Sequence, residues 1–167
     1  MEEIKVNLDN LTNEERETFL KLVEKGNKTN KRRWRGKRND TYYYFSRSYR
    51  LFDTVESEDN YDDNNYQFGN YFKTKEEAEF ARKKRLIYQQ LKDYALGHNT
   101  EEIDWNNLSQ FRWFIKYDNN CEIIRYCWTR FLNCMNQIYF TSEEIARAAV
   151  EEIGEDNIKK YLFGVKE

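Results

Sequence analysis

Proline is absent, histidine occurs once, and the six glycines stand singly, so several common routes to a catalytic site are closed at the outset. With one histidine, His98, acid–base chemistry near neutral pH has a single ordinary candidate. His98 follows Gly97 directly and no GxSxG motif prepares a nucleophile for it, so it reads as a solvated loop residue. A pairing of His98 with Cys121, Cys127 or Cys134 is left open, with nothing in the pattern favouring it. Scattered glycines exclude the phosphate-cradling patterns GxGxxG and GxxxxGK[ST]. The three cysteines have no CxxC spacing and read as reduced packing residues. Eighteen consecutive apolar residues are nowhere found, and Met1 to Asn10 lacks the basic-then-apolar order of a signal peptide. The expected location is the cytoplasm.

What is present is aromatic and charged. Among 167 residues, 13 Tyr and 11 Phe favour strands, where flat rings cover a half-buried pleated surface. Charged residues reach 35%, yet the net charge is only -2, too small to imply a nucleic-acid or membrane partner by itself. The charge is segregated instead. Residues 28 to 38 carry Lys28, Lys31, Arg32, Arg33, Arg35, Lys37 and Arg38 without an acid, and residues 53 to 63 carry Asp53, Glu56, Glu58, Asp59, Asp62 and Asp63.

Helix starts are written plainly. Thr12 with Glu15, Thr74 with Glu77 and Thr141 with Glu144 each have the spacing of a capping box, in which hydroxyl and carboxylate satisfy first-turn N–H groups. Apolar residues at helical spacing follow each, and Gly26, Gly97 and Gly154 stand where left-handed stops are expected. A short fourth helix is predicted over 156 to 163. Between helices the period falls to two: Phe111, Trp113, Ile115 and Tyr117 alternate with polar residues, Asp118 to Asn120 supply a turn, and a second run extends from Cys121 to Trp128. Strands are also expected over 41 to 45, 49 to 52 and 66 to 72, around an acidic loop, with Gly69 marking a bulge.

Tyr71-Phe72 before the Thr74 helix matches Tyr139-Phe140 before the Thr141 helix, at an offset of about 68 residues, with Trp34 or Trp105 upstream. Duplication is preferred over coincidence. The expected fold is α+β: antiparallel hairpins with helices packed on one face, in two degenerate strand-strand-helix repeats after an N-terminal helix. One domain is expected over 1–167, with 1–27 a helical segment, 28–97 the first half and 98–167 the second.

The functional candidates are the two charged runs. Arginine pairs bidentately with phosphate or carboxylate, and Trp34 within Lys31-Arg32-Arg33-Trp34-Arg35-Gly36-Lys37-Arg38 offers a stacking face or an anchor for a protein pocket. Against that stands the plain reading, a solvated linker with Trp34 in the core. For Asp53, Glu56, Glu58, Asp59, Asp62 and Asp63 the plain reading is a solvated loop. A Mg²⁺ or Ca²⁺ site is less favoured because the spacing is not that of an EF-hand, and contact with the basic run or a partner is a third reading. No cofactor is expected.

Leu11 to Arg16, Trp34, Tyr42 to Tyr44, Gly69 to Glu79, Ile138 to Glu144 and Ile153 to Phe163 together resemble small uncharacterised phage and prophage proteins of Gram-positive bacteria. The resemblance covers most of the chain. It implies a setting, the cytoplasm of a bacterial host, and carries no catalytic residues with it. Non-enzymatic proteins from that setting often occupy a surface of a host machine, including CRISPR effectors. The leading expectation is therefore an anti-defence, anti-CRISPR-like inhibitor that binds a host protein or ribonucleoprotein. The alternative is a nucleic-acid-binding accessory protein using residues 28 to 38, and the third a metal- or nucleotide-binding enzyme or sponge.

Overall fold

The structure, a computed structural model, describes residues 11–27 and 33–166, with α1 side chains described as far as Lys21. Its contacts fall into two compact units, 1–35 and 36–167. In the first, α1 spans Asn13–Asn27. Its capping box is complete: Thr12 Oγ1 accepts from the Glu15 N–H at 3.3 Å, and the Glu15 carboxylate accepts from the Thr12 N–H at 2.9 Å. The Thr12 N–H and the Thr12 hydroxyl, both donating to Glu15 Oε2, hold that carboxyl below its ordinary value. The helix runs one residue past Gly26.

The second unit contains β1 (Thr41–Phe45), β2 (Leu51–Val55), α2 (Asn60–Gln67), α3 (Lys75–His98), β3 (Arg112–Asp118), β4 (Ile123–Thr129), α4 (Glu143–Ile153) and α5 (Glu155–Tyr161). Its class is α+β, with β1 and β2 forming one antiparallel hairpin and β3 and β4 another.

Each hairpin gains a third, one-pair strand. Tyr43 and Phe72 exchange backbone bonds of 2.9 and 3.0 Å; Trp113 and Phe140 exchange two of 2.8 Å. Two residues after each bridging residue a helix is capped, by Thr74 on the Glu77 N–H and by Ser142 on the Ile145 N–H. Four residues after the cap a fully buried alanine, Ala78 or Ala146, lets the helix approach closely. The α4 cap is thus Ser142 rather than the expected Thr141. Thr141 is drawn elsewhere: its hydroxyl accepts from the Thr100 N–H at 3.1 Å and its N–H donates to Asn99 Oδ1 at 3.0 Å.

Four further expectations change. Residues 66 to 72 are not a strand, and the acidic segment is not a loop: Asp59 and Asp62 cap α2 reciprocally, and only Phe72 bridges. Carboxylates near a helix N-terminus meet free N–H groups and a favourable dipole, which turns an acidic run into a helix start. Gly69, at φ +70°, follows that helix rather than making a bulge. Gly97 lies inside α3, which continues to His98, whereas Gly154, at φ +94°, does form the joint between α4 and α5.

The main core joins Ile87, Leu91 and Ala95 of α3 to Ile115, Ile124, Phe140, Ala146, Ala149, Val150 and Ile158. Full burial of a side chain such as Leu91 stabilises by about 2 kcal/mol. Around the first hairpin the buried set is smaller and more aromatic: Tyr42, Phe45, Tyr71 and Ala78.

Strand register assigns the faces. In the first hairpin Tyr43, Leu51 and Asp53 line a groove with Lys75, Glu79 and Arg82 of α3. Tyr42, Tyr44 and Phe52 point the other way, where α2 meets Tyr42 through Asp62 and Tyr44 through Tyr61, while Phe52 stays exposed. In the second hairpin Trp113, Ile115, Tyr117, Ile124 and Tyr126 belong to the core side with α4. Arg112, Phe114, Lys116, Arg125 and Cys127 lie on the outer side.

Candidate interaction surface

The basic run is only partly described. Lys28, Lys31 and Arg32 lie outside the described residues. Arg33 and Arg35 are exposed and Trp34 half-buried, all three in the first unit. Lys37 and Arg38, in the second unit, are exposed on a turn closed by the Lys37 N–H to Asp40 Oδ2 bond of 2.8 Å and the Asp40 N–H to Lys37 O bond of 2.9 Å. That turn meets the start of the acidic run through the backbone, with Asn39 N–H to Glu56 O at 2.8 Å and Glu56 N–H to Asp40 O at 2.9 Å.

The acidic run divides. Asp53 and Glu58 are exposed, Asp63 is half-buried, and exposed Asp59 caps α2. Glu56 and Asp62 are 1% and 2% exposed, which removes them from any partner-facing set. Two tyrosines draw them inward. Tyr42 donates its hydroxyl to Asp62 Oδ1 at 2.7 Å and Tyr71 donates to Glu56 Oε2 at 2.7 Å, while the two rings stack at 3.8 Å and 14°. Asn65 donates to the Tyr42 oxygen at 3.2 Å, and the Ser57 N–H donates to Asp62 Oδ2 at 2.6 Å. Burial pushes the Tyr42 hydroxyl strongly upward, reinforced by its bond to Asp62. For Asp62 burial acts upward too, but the bonds from Tyr42, Ser57 and Asp59 outweigh it and leave the carboxyl below its ordinary value. Such a satisfied network holds α2 on the hairpin.

Arg112 occupies the equivalent place in the second half and is fully buried. Its guanidinium donates to the carbonyls of Arg130 at 2.6 Å, Asn107 at 2.9 Å and Gln110 at 3.2 Å, and to that of Asp104. Trp105 covers it at 4.5 Å from the ring centroid. The cation thus staples residues 104–110 and 130 over the outer face of β3. Tyr139 repeats Tyr71, with its hydroxyl donating to Leu132 O and accepting from the Cys134 N–H, both at 2.9 Å. Burial pushes that hydroxyl up.

His98 stacks on Tyr94 at 3.9 Å, with Nδ1 2.9 Å from the Tyr94 carbonyl, an exposed position at the end of α3. It lines an open groove of about 580 Å³ that also holds Lys83, Asp93 and Glu152. Among the described residues no group of three or more His, Cys, Asp or Glu is placed to hold a metal ion, and no helix is long and apolar enough to cross a membrane.

The surface feature that sequence reasoning missed is apolar. At the open end of the second hairpin Phe111 meets Trp128 edge-on at 4.9 Å, and the Arg130 guanidinium lies 4.9 Å from the Phe111 ring and 5.9 Å from that of Phe131. Trp128 is 50% exposed, Phe131 72% and Met135 91%, with Leu108 and Leu132 also exposed. Clustered large apolar side chains around an arginine are the usual make-up of a protein-binding centre. The signal available in the sequence was the run Phe131-Leu132 beside Met135 in a connection too short for an element of its own.

No family model, curated protein or solved structure matches this chain.

Proposed function

We propose that this chain is a non-enzymatic binding protein that works by covering a surface of a protein or ribonucleoprotein. The setting suggested by the sequence resemblance makes it a phage accessory protein directed at a host defence complex. The observation that carries the reading is the exposed group of Phe111, Trp128 and Phe131 about Arg130, with exposed Leu132 and Met135 in the same connection. Aromatic, methionine and arginine side chains recur at the centres of interfaces, because they bury large areas with little loss of rotamer freedom or offer several contacts at once.

Affinity capture from lysate of a Gram-positive host, run in parallel with the wild-type chain and a Phe131→Asp/Met135→Asp variant, tests this. Both positions are highly exposed, so the variant should unfold within about 0.5 kcal/mol of wild type. A stoichiometric protein or ribonucleoprotein retained by the wild type and lost by the variant is the expected result. Equal retention by both chains, or none by either, overturns the reading.

A further inference from the structure

The internal repeat shows what kind of element sits on the outer face of a hairpin in this fold. In the first half, the connection over residues 56–70 folds into α2 and packs on the face: Tyr61 meets Tyr44 edge-on at 5.6 Å, and Asp62 takes the Tyr42 hydroxyl, with Phe52 left exposed at the edge. In the second half Arg112 stands for Tyr42, Phe114 for Tyr44 and Cys127 for Phe52, as counted from the bridging residues and across the paired strands. There the connection spans only 130–138 and forms no helix. It lies beside the outer face, since Tyr139 touches Phe114 at 6.0 Å and binds the backbone of Leu132 and Cys134.

What this shorter connection leaves is a half-buried Phe114 and Cys127, exposed Ile123, Lys116 and Arg125, and the exposed Phe131, Leu132 and Met135 alongside. Lys116 stands directly across from Arg125, whose guanidinium bonds Asp118 at 3.0 Å and Cys121 Sγ at 3.2 Å, so two cations share the one carboxylate of Asp118 on this face. Like charges side by side across a ladder disfavour the isolated hairpin and favour an anionic occupant. The element that fills this place in the first half is acidic, with Asp59, Asp62 and Asp63 at its N-terminal end and Tyr61 and Tyr66 behind them.

We infer that the part of the outer face of the β3–β4 hairpin beyond the end covered by residues 104–110 is a docking site for an acidic, amphipathic helical segment of a partner protein. This rests on the reading of the chain as a binding protein and names the partner's chemistry. Lys116 and Arg125 meet the carboxylates; Phe114, Cys127 and the Phe131–Met135 connection take the apolar side.

The probe is a helix-stapled peptide with the sequence of residues 56–68, titrated into the isotope-labelled full chain while backbone amide shifts are followed. Saturable shifts confined to 112–118, 123–129 and 130–138 are expected, weakened about tenfold by Lys116→Glu and abolished when the peptide's Asp59, Asp62 and Asp63 positions carry lysine. The charge-reversed peptide leaves the protein untouched, so the test stands even if the Lys116 variant misfolds. Unmoved amides at saturating peptide, or equal binding of the charge-reversed peptide, overturn the inference. Shifts at the same amides on concentrating the chain alone make a second copy the occupant, and stronger shifts from a thymidine decanucleotide make it nucleic acid; either result overturns it. A chain that captures a host protein yet ignores the peptide refutes this inference alone, whereas one that binds the peptide but captures no host protein refutes the proposed function alone.

Discussion

Tyr42 and Arg112 occupy the same place in the two halves, one residue before the bridging pair and buried on the outer face of the hairpin. The tyrosine is satisfied by a carboxylate brought in by α2; the two terminal nitrogens of the arginine bond main-chain carbonyls of two loops, while its buried Nε has no hydrogen-bond partner among the described residues. Around them the frame is constant: bridge, cap, buried alanine and a hydroxyl-bonded tyrosine at 71 or 139. The comparison teaches that the bridge and helix carry the repeat, while the outer face accepts whichever chemistry its connection supplies. A longer connection laid a helix on the first face. The shorter one in the second half holds its end with Arg112 and leaves apolar residues outside.

The largest expected effect comes from removing the staple. Arg112→Ala strands several buried carbonyls and empties a large volume, and should lower the unfolding free energy by about 3–5 kcal/mol in urea titration. Arg112→Lys, a compact point charge that cannot span several carbonyls, should recover little of it. A loss under about 1 kcal/mol would mean that the loops hold the face without the guanidinium.

Breaking the counterpart is milder. Tyr42→Phe leaves Asp62 Oδ1 without its hydroxyl donor and should cost about 1–3 kcal/mol. It should also change acid sensitivity. Asp62 titrates below its ordinary value in the folded protein, so its ionised form contributes stability above the unfolded value, about 4, and loses it as pH falls through the lower folded value. The difference in urea midpoint between about pH 7 and about pH 3 should shrink in Tyr42→Phe. An unchanged difference would place the acid sensitivity elsewhere.

The smallest effect sharpens the shared frame. Ser142→Ala and Thr74→Ala each remove one cap and should each lower thermal stability by about 1 kcal/mol. Equal losses support equivalent junctions. A loss at Thr74 alone would make Ser142 incidental to α4.

Much of the frame was legible because its signals are local. Thr12 and Thr74 cap where the threonine–glutamate spacing placed them, Gly154 ends α4, and Asp118 turns the second hairpin by accepting from the N–H groups of Asn120 and Cys121. The error at Thr141 is instructive: two adjacent hydroxyls offered the same cap, and the contact with Asn99 and Thr100 decided between them. The acidic run misled for a related reason. Asp59 and Asp62 are side chains whose meaning depends on whether free N–H groups lie beside them, and Glu56 and Asp62 were drawn inside by Tyr71 and Tyr42 from elsewhere in the chain.

Alternation, caps and turns thus determined the helices, the second hairpin and the α+β class, because each depends on neighbours within a few residues. Which polar groups are buried and which apolar ones are left out was decided only by tertiary contact. Arg112 looks in sequence like the solvated member of an alternating strand yet is fully buried, and Phe131, Leu132 and Met135 stand exposed, because burial depends on what the rest of the fold lays over each face.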